Sequence, residues 1–227
     1  MEKETNPKIY KAQKLNNINI HPGDLKGSPD ESFSLRDTLV FIDEAFLSRL
    51  SKHFGQGTYL RFDRFSFSKN LAKRENLNLK GIFMYIAPPF QSEKPSKQEE
   101  LKKEGYDKFI KKLKQKEIIV REGRCQRILN EKGEFEYRQK GVDILLAIDL
   151  MNVLSKYSDV KRTILIASDS DFVPVIKNLE EKKIKTILYT FYQKKRNTEF
   201  SRSNHLIKSV HKYVLLTKQD FENSPLK

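Results

Sequence analysis

The sequence predicts an α/β fold built on a mostly parallel sheet with flanking helices, and three observations carry that reading. Short continuous apolar runs of strand length recur along the chain, Leu39 to Ile42, Gly81 to Ala87 and Ile164 to Ala167, with a further strand at Ile184 to Thr190. Strands buried on both faces need such runs. Between them lie stretches with apolar residues at helical spacing, so strand and helix alternate, and a parallel sheet with right-handed crossovers follows. Finally, the first strand runs directly into Asp43 and the Ile164–Ala167 run into Asp169 and Asp171. That is the carboxyl edge, where open α/β sheets place their sites.

In chain order, residues 1–35 are polar, rich in Asn, Lys, Pro and Gly, and read as a mobile arm. A domain over 36–216 and a tail at 217–227 follow. The first strand ends in Asp43, and Glu44 to His53 makes a helix with Ala45, Phe46 and Leu50 at helical spacing and Gly55 and Gly57 beyond its end. Tyr59 to Leu79 mixes two periods through Phe62, Phe65, Phe67 and Leu71. The interleaved Arg61, Arg64, Lys69, Lys73 and Arg74 would suit a stacking platform for single-stranded nucleic acid. An amphipathic element with its phenylalanines in the core is the preferred reading.

Gly81 to Ala87 is the second strand, closed by Pro88 and Pro89. A helix then runs to about Lys116 with Leu101, Tyr106, Phe109, Ile110 and Leu113 on one face and a solvated lysine face opposite. Ile118 to Val120 is a third strand. Arg124 to Leu129 and Glu134 to Arg138, joined through Asn130 to Gly133, form a short hairpin insertion. Asp143 opens a helix, Ile144 to Leu154, apolar nearly all round and so expected to be buried against the sheet. Ile164 to Ala167 is followed by a helix over Phe172 to Glu181 with Pro174 in its first turn. Ile184 to Thr190, a helix from about Ser203 to Val210, and a final strand at Tyr213 to Leu216 complete the domain.

Composition sets the outer limits. The 227 residues suffice for one well-cored domain. A lone cysteine, Cys125, excludes an intramolecular disulfide and a four-cysteine zinc site, and fits a reducing compartment. The polar N-terminus and the lack of any apolar run near 20 residues predict a cytoplasmic protein without membrane spans. With 44 Lys+Arg against 30 Asp+Glu, the formal charge of +14 attracts polyanions. Nucleic acid is the first partner to consider and an anionic membrane surface its competitor, while a homo-oligomer is left open.

The chemistry gathers at the acids. Asp169 and Asp171 turn the corner between a strand and a helix, and hard divalent cations need such oxygen ligands. The same corner also fits plain helix capping by Ser170 or Asp171. Asp43 ends the first strand and Asp143 starts a helix, so topology would bring four carboxylates to one edge. They would repel one another unless cations neutralise them. Asp149 lies six residues beyond Asp143, roughly 240° round the helix and about 9 Å along it, which suits a structural or supporting role. His21, His53, His205 and His211 show no metal spacing beyond a loose pair at 205 and 211, and no Gly-rich phosphate loop is present.

Asp43 after an apolar strand, Lys140-Gly-Val-Asp143 leading into Leu146-Ala-Ile-Asp149, and Ser168-Asp-Ser-Asp171-Phe172 together resemble the NYN domain of the LabA-like kind, within the PIN-like nucleases. The stretch from Phe200 through Tyr213 is similar to that family's closing segment, and the likeness extends roughly over Thr38 to Leu216. The resemblance implies a Rossmann-like sheet and an endoribonuclease whose Asp43, Asp143, Asp169 and Asp171 hold one or two Mg²⁺ or Mn²⁺. Ser168 and Ser170 would orient those ligands, Lys140 and Arg202 would meet phosphate, and the partner would be single-stranded or structured RNA. One position departs from the family, which commonly has Asn three residues after the first Asp, where this chain has Phe46. Activity is then lowered, or Glu44 supplies an oxygen instead. Two alternatives stand beside the ribonuclease: a catalytically weak RNA-binding or scaffold module of the same fold, and a nuclease acting on DNA.

Overall fold

A computed structural model describes residues 35–194 and 198–226. The arm expected at residues 1–35 lies outside them except for Leu35. Six parallel strands make the main sheet: β1 Arg36–Asp43, β2 Leu77–Ile86, β3 Ile118–Glu122, β6 Arg162–Ile166, β7 Lys185–Thr190 and β8 Lys212–Leu215. Their order across the sheet is β3-β2-β1-β6-β7-β8. Two further strands, β4 Arg124–Leu129 and β5 Phe135–Lys140, pair only with each other as the expected antiparallel hairpin. With the hairpin set aside the order is 3-2-1-4-5-6, that of a Rossmann fold, and its direction reverses between β1 and β6. The α/β class and the mostly parallel sheet are as the sequence predicts.

Both faces of the sheet are covered, which is why the strands are apolar throughout. Along β1, Val40 and Ile42 enter one core, with Ile164, Ile166, Ile187 and Tyr189. Leu39 and Phe41 enter the other, with Leu165 and Leu188. The first core is roofed by α1 Glu44–Phe54, α2 Arg64–Arg74 and α3 Lys97–Gln115, the second by α4 Val142–Lys156, α5 Val173–Glu181 and α6 Asn204–Ser209.

Several elements depart from the sequence reading. The ambiguous stretch contains α2, capped by Asp63, whose carboxylate accepts the Ser66 N–H at 2.8 Å. Phe62 and Phe67 are fully buried, so these aromatics belong to the core. On α3 only Ile110 and Leu113 are buried, and Leu101 is exposed. Helix α4 has an apolar sequence on its outer side too, yet Ile144, Ile148 and Met151 remain exposed because the sheet covers only one face. The segment read as a tail carries α7, Lys218–Glu222, whose Phe221 packs between Phe62 and Phe67 with ring centroids 4.8 and 5.1 Å away. Among the described residues no helix is long and apolar enough to cross a membrane.

Candidate active site

The point where strand order reverses is the crevice in which open α/β sheets bind ligands. Strand β1 ends there with Asp43, beside Tyr85 of β2. The buried Asp43 side chain is the N-cap of α1: its Oδ1 accepts the Phe46 N–H at 3.2 Å. Burial pushes this carboxyl up to about 6; the Phe46 N–H and the more distant Arg49 oppose the rise, and Asp143 adds to it. Asp143 comes from the other side of the sheet, in the first turn of α4. Gly141, at φ 79°, turns the end of β5 into that helix, a backbone state that favours glycine. The Asp143 carboxyl is also raised, first by partial burial and then by Asp169 and Asp171.

Those two stand just past β6. Asp169 caps a single 3-10 turn, Ser170–Phe172, by accepting the Asp171 N–H at 2.9 Å, and both carboxylates face solvent. The cap expected from Ser170 or Asp171 is thus supplied by Asp169 instead, and one of its oxygens can hold the turn while the group still acts on Asp143. The four aspartates form one electrostatic set at the carboxyl edge, linked through Asp143. Ser168 is half-buried and Ser170 exposed in the same corner. Lys140 is exposed at the foot of the hairpin, three residues before Asp143. Arg202 lies in the segment after β7, its guanidinium 5.0 Å over the Tyr192 ring.

Asp149 has a structural place. Its carboxylate accepts the Tyr85 hydroxyl at 3.0 Å and pairs with Arg121 at 3.0 Å, tying α4 to β2 and β3. The Oε1 of Glu44 already accepts from Arg64 and from Ser48, each at 2.7 Å, while its buried Oε2 has no hydrogen-bond partner among the described residues. Phe46 itself is fully buried in the core. Sequence reasoning passed over Arg49, which lies six residues after Asp43, outside any i,i+4 pairing. It lines an open cavity of about 450 Å³ with Lys52, His53 and Tyr59.

The donor set is all carboxylate oxygen, Asp143 raises the proton affinity of Asp43, and Asp169 with Asp171 raises that of Asp143, so a hard divalent cation fits the unmet charge. Among the described residues no three His, Cys, Asp or Glu side chains converge closely enough to encircle an ion unaided.

A crystal structure of a protein of unknown function from Vibrio parahaemolyticus superposes with a TM-score of 0.54, at 15% identity, over 85% of this chain and 99% of that one. This likeness shows a shared fold. No curated protein matches the sequence. The family model of the NYN domain matches residues 37–215, from β1 through β8 and across all four aspartates, and the chain accordingly belongs to the NYN domain family, with its PIN-like nuclease fold.

Proposed function

We propose that this protein is a divalent-metal-dependent ribonuclease that hydrolyses RNA phosphodiester bonds at Asp43, Asp143, Asp169 and Asp171. The observation that supports this best is the gathering of carboxylates from three segments at the switch point, where Asp143 acts on Asp43 and the Asp169–Asp171 corner acts on Asp143, in a chain whose formal charge is +14. Acids collected against their own repulsion in a basic protein suit a site that meets phosphate through a cation. Asp43, fixed by its capping bond, and Asp143, across the crevice, would hold Mg²⁺ or Mn²⁺, with Asp169 and Asp171 holding it directly or through water. The bound cation would lower the pKa of a water and neutralise charge on the scissile phosphate. Ser168 and Ser170 orient the corner carboxylates, and Lys140 and Arg202 meet the RNA backbone on either side. RNA as the substrate class rests on family membership and on the basic excess.

A second reading, an RNA-binding module with weak catalysis, is favoured by Phe46, whose buried ring offers no polar atom where the family carries an amide. Both readings are separated by incubating labelled single-stranded RNA, structured RNA and DNA with the protein in Mn²⁺, Mg²⁺ or EDTA, beside Asp169→Asn. Asparagine can still accept the Asp171 N–H, so the turn survives while the charge is lost. Metal-dependent RNA cleavage that drops at least about 100-fold in the variant is expected. Binding without cleavage by wild type in every metal would move the protein to the binding class, and preferential cleavage of DNA would overturn the substrate.

A further inference from the structure

The β4–β5 hairpin has two unlike faces. Cross-strand pairing sets Arg127 opposite Tyr137 and Leu129 opposite Phe135 on one of them. There Leu129, Phe135 and Tyr137 are 63%, 58% and 57% exposed. Phe90, from the segment after β2, joins this face with its ring 5.6 Å from Tyr137. The Arg127 guanidinium sits between rings, 4.8 Å from Phe90 and 4.4 Å from Phe135. On the other face Arg124 pairs with Lys140 and Gln126 with Arg138.

A two-stranded ribbon is marginally stable alone, and large aromatics in water are unfavourable on it. This one is nonetheless firmly rooted. Gly123 at its foot donates to the Ile86 carbonyl at 2.9 Å, and a Cβ there would lie 2.6 Å from the Lys140 carbonyl oxygen, so the strands close tightly at the sheet edge. From Lys140 the chain passes directly to Asp143. At about 3.3 Å per residue, Tyr137 stands about 10 Å and Phe135 about 16 Å up the ribbon from Lys140.

We propose that this ribbon is a holding arm for single-stranded RNA, whose bases stack on Phe135, Tyr137 and Phe90 while Arg127 and the basic reverse face meet the phosphates. Rings interleaved with a cation match unpaired bases, which offer a π-face and a charged backbone together. Charge complementarity selects a polyanion over an apolar partner, and continuity with the acid edge leads the strand to Asp143. The inference assigns a substrate subsite and rests on the ribonuclease reading for its purpose, while its test needs no catalysis.

Binding of a fluorescein-labelled 12-mer of uridine is measured by anisotropy in EDTA, where cleavage is absent, beside a blunt RNA duplex and a 12-mer of thymidine. Phe135→Ala with Tyr137→Ala should weaken uridine 12-mer binding about tenfold or more and leave duplex binding unchanged, because duplex bases are already stacked. Tyr137→Phe keeps the ring and should keep the affinity, whereas Tyr137→Leu keeps apolar area without a π-face and should lose it. Circular dichroism checks that each variant is folded. Unchanged single-strand affinity in the double variant, equal loss on the duplex, or full affinity in Tyr137→Leu would overturn the arm. So would a dimer in sedimentation velocity that the double alanine variant dissolves, since the face would then serve a second copy. Thymidine binding weakened as strongly as uridine binding supports base stacking, whereas a loss confined to the thymidine strand overturns RNA as the ligand. Loss of cleavage with intact uridine 12-mer binding counts against the catalytic site alone.

Discussion

At the scale of single residues, the role proposed for Asp43 comes at a cost to the fold. In metal-free protein its carboxyl titrates near 6 because burial disfavours the charge, so the folded state holds its proton more tightly than the unfolded chain does. The stability it contributes is complete below about pH 4 and is lost as pH rises through 6, by about 3 kcal/mol at about 1.4 kcal/mol per unit. The raised Asp143 carboxyl adds the same sign. Asparagine at 43 keeps an acceptor for the Phe46 N–H and removes the charge. Asp43→Asn should therefore be more stable than wild type in EDTA at pH 8, by about 2 kcal/mol, and no more stable at pH 4. Thermal unfolding at the two pH values reads this, and a variant that gains nothing at pH 8 removes the argument. Asp149 makes the contrasting case. Asp149→Ala strands the buried Tyr85 hydroxyl while the partly exposed Arg121 rehydrates, so about 2 kcal/mol should be lost in urea unfolding, with nuclease activity per folded molecule retained. A large loss of activity in the folded variant would put Asp149 in the site.

At the scale of elements, what was legible in the sequence follows what local pattern can encode. Buried parallel strands declare themselves as apolar runs, so β1, β2, β6 and β7 were visible, and with them the edge that carries the acids. Helix α2 was obscured because Phe62, Phe65 and Phe67 sit three and two residues apart, and Phe62 lies before the Asp63 cap that sets the start of the helix. Helix α7 was missed because five residues show no periodicity; its place is fixed by tertiary contacts of Phe221 and by the Arg74–Asp220 ion pair. The site was read as positions, whereas the lone Asp143 link between Asp43 and the β6 corner depends on helix α4 crossing the sheet. Phe221→Ala should cost about 3–5 kcal/mol in urea unfolding, because the cavity opens inside an aromatic cluster. A loss below about 1 kcal/mol would return residues 217–227 to the status of a tail. Just beyond the Lys116 cap of helix α3, Glu117 stands at φ 58°, a left-handed state that an L side chain adopts at a cost. Glu117→Gly should raise the unfolding midpoint by the equivalent of about 0.5–1 kcal/mol, and a lowered midpoint would show that the side chain is needed there.

At the scale of the whole molecule, the charge is divided by position. The chain is +14 overall, yet the switch point of the sheet is acidic, and the basic hairpin rises from that same edge. A single strand bound along the hairpin would be neutralised there and cleaved where its phosphate reaches the acids. The hairpin cations Arg124, Arg127, Lys132, Arg138 and Lys140 are all exposed; Arg138 is paired with Glu136 at 3.0 Å and Lys132 lies in the turn, which leaves Arg124, Arg127 and Lys140 along the strands to meet phosphate. Each phosphate neutralised on a single strand contributes about −0.7 to the slope of log affinity against log salt concentration. Three contacts give a slope of about −2.1, or about a 20-fold loss of affinity for the uridine 12-mer between about 50 and 200 mM KCl. Replacing Arg124 and Lys140 together by glutamine should reduce the slope by about 1.4 and leave the stacking contribution at high salt untouched. If the slope stays as steep in the double variant, the phosphates are neutralised elsewhere, and the lysine-rich face of α3 becomes the surface that tracks the backbone.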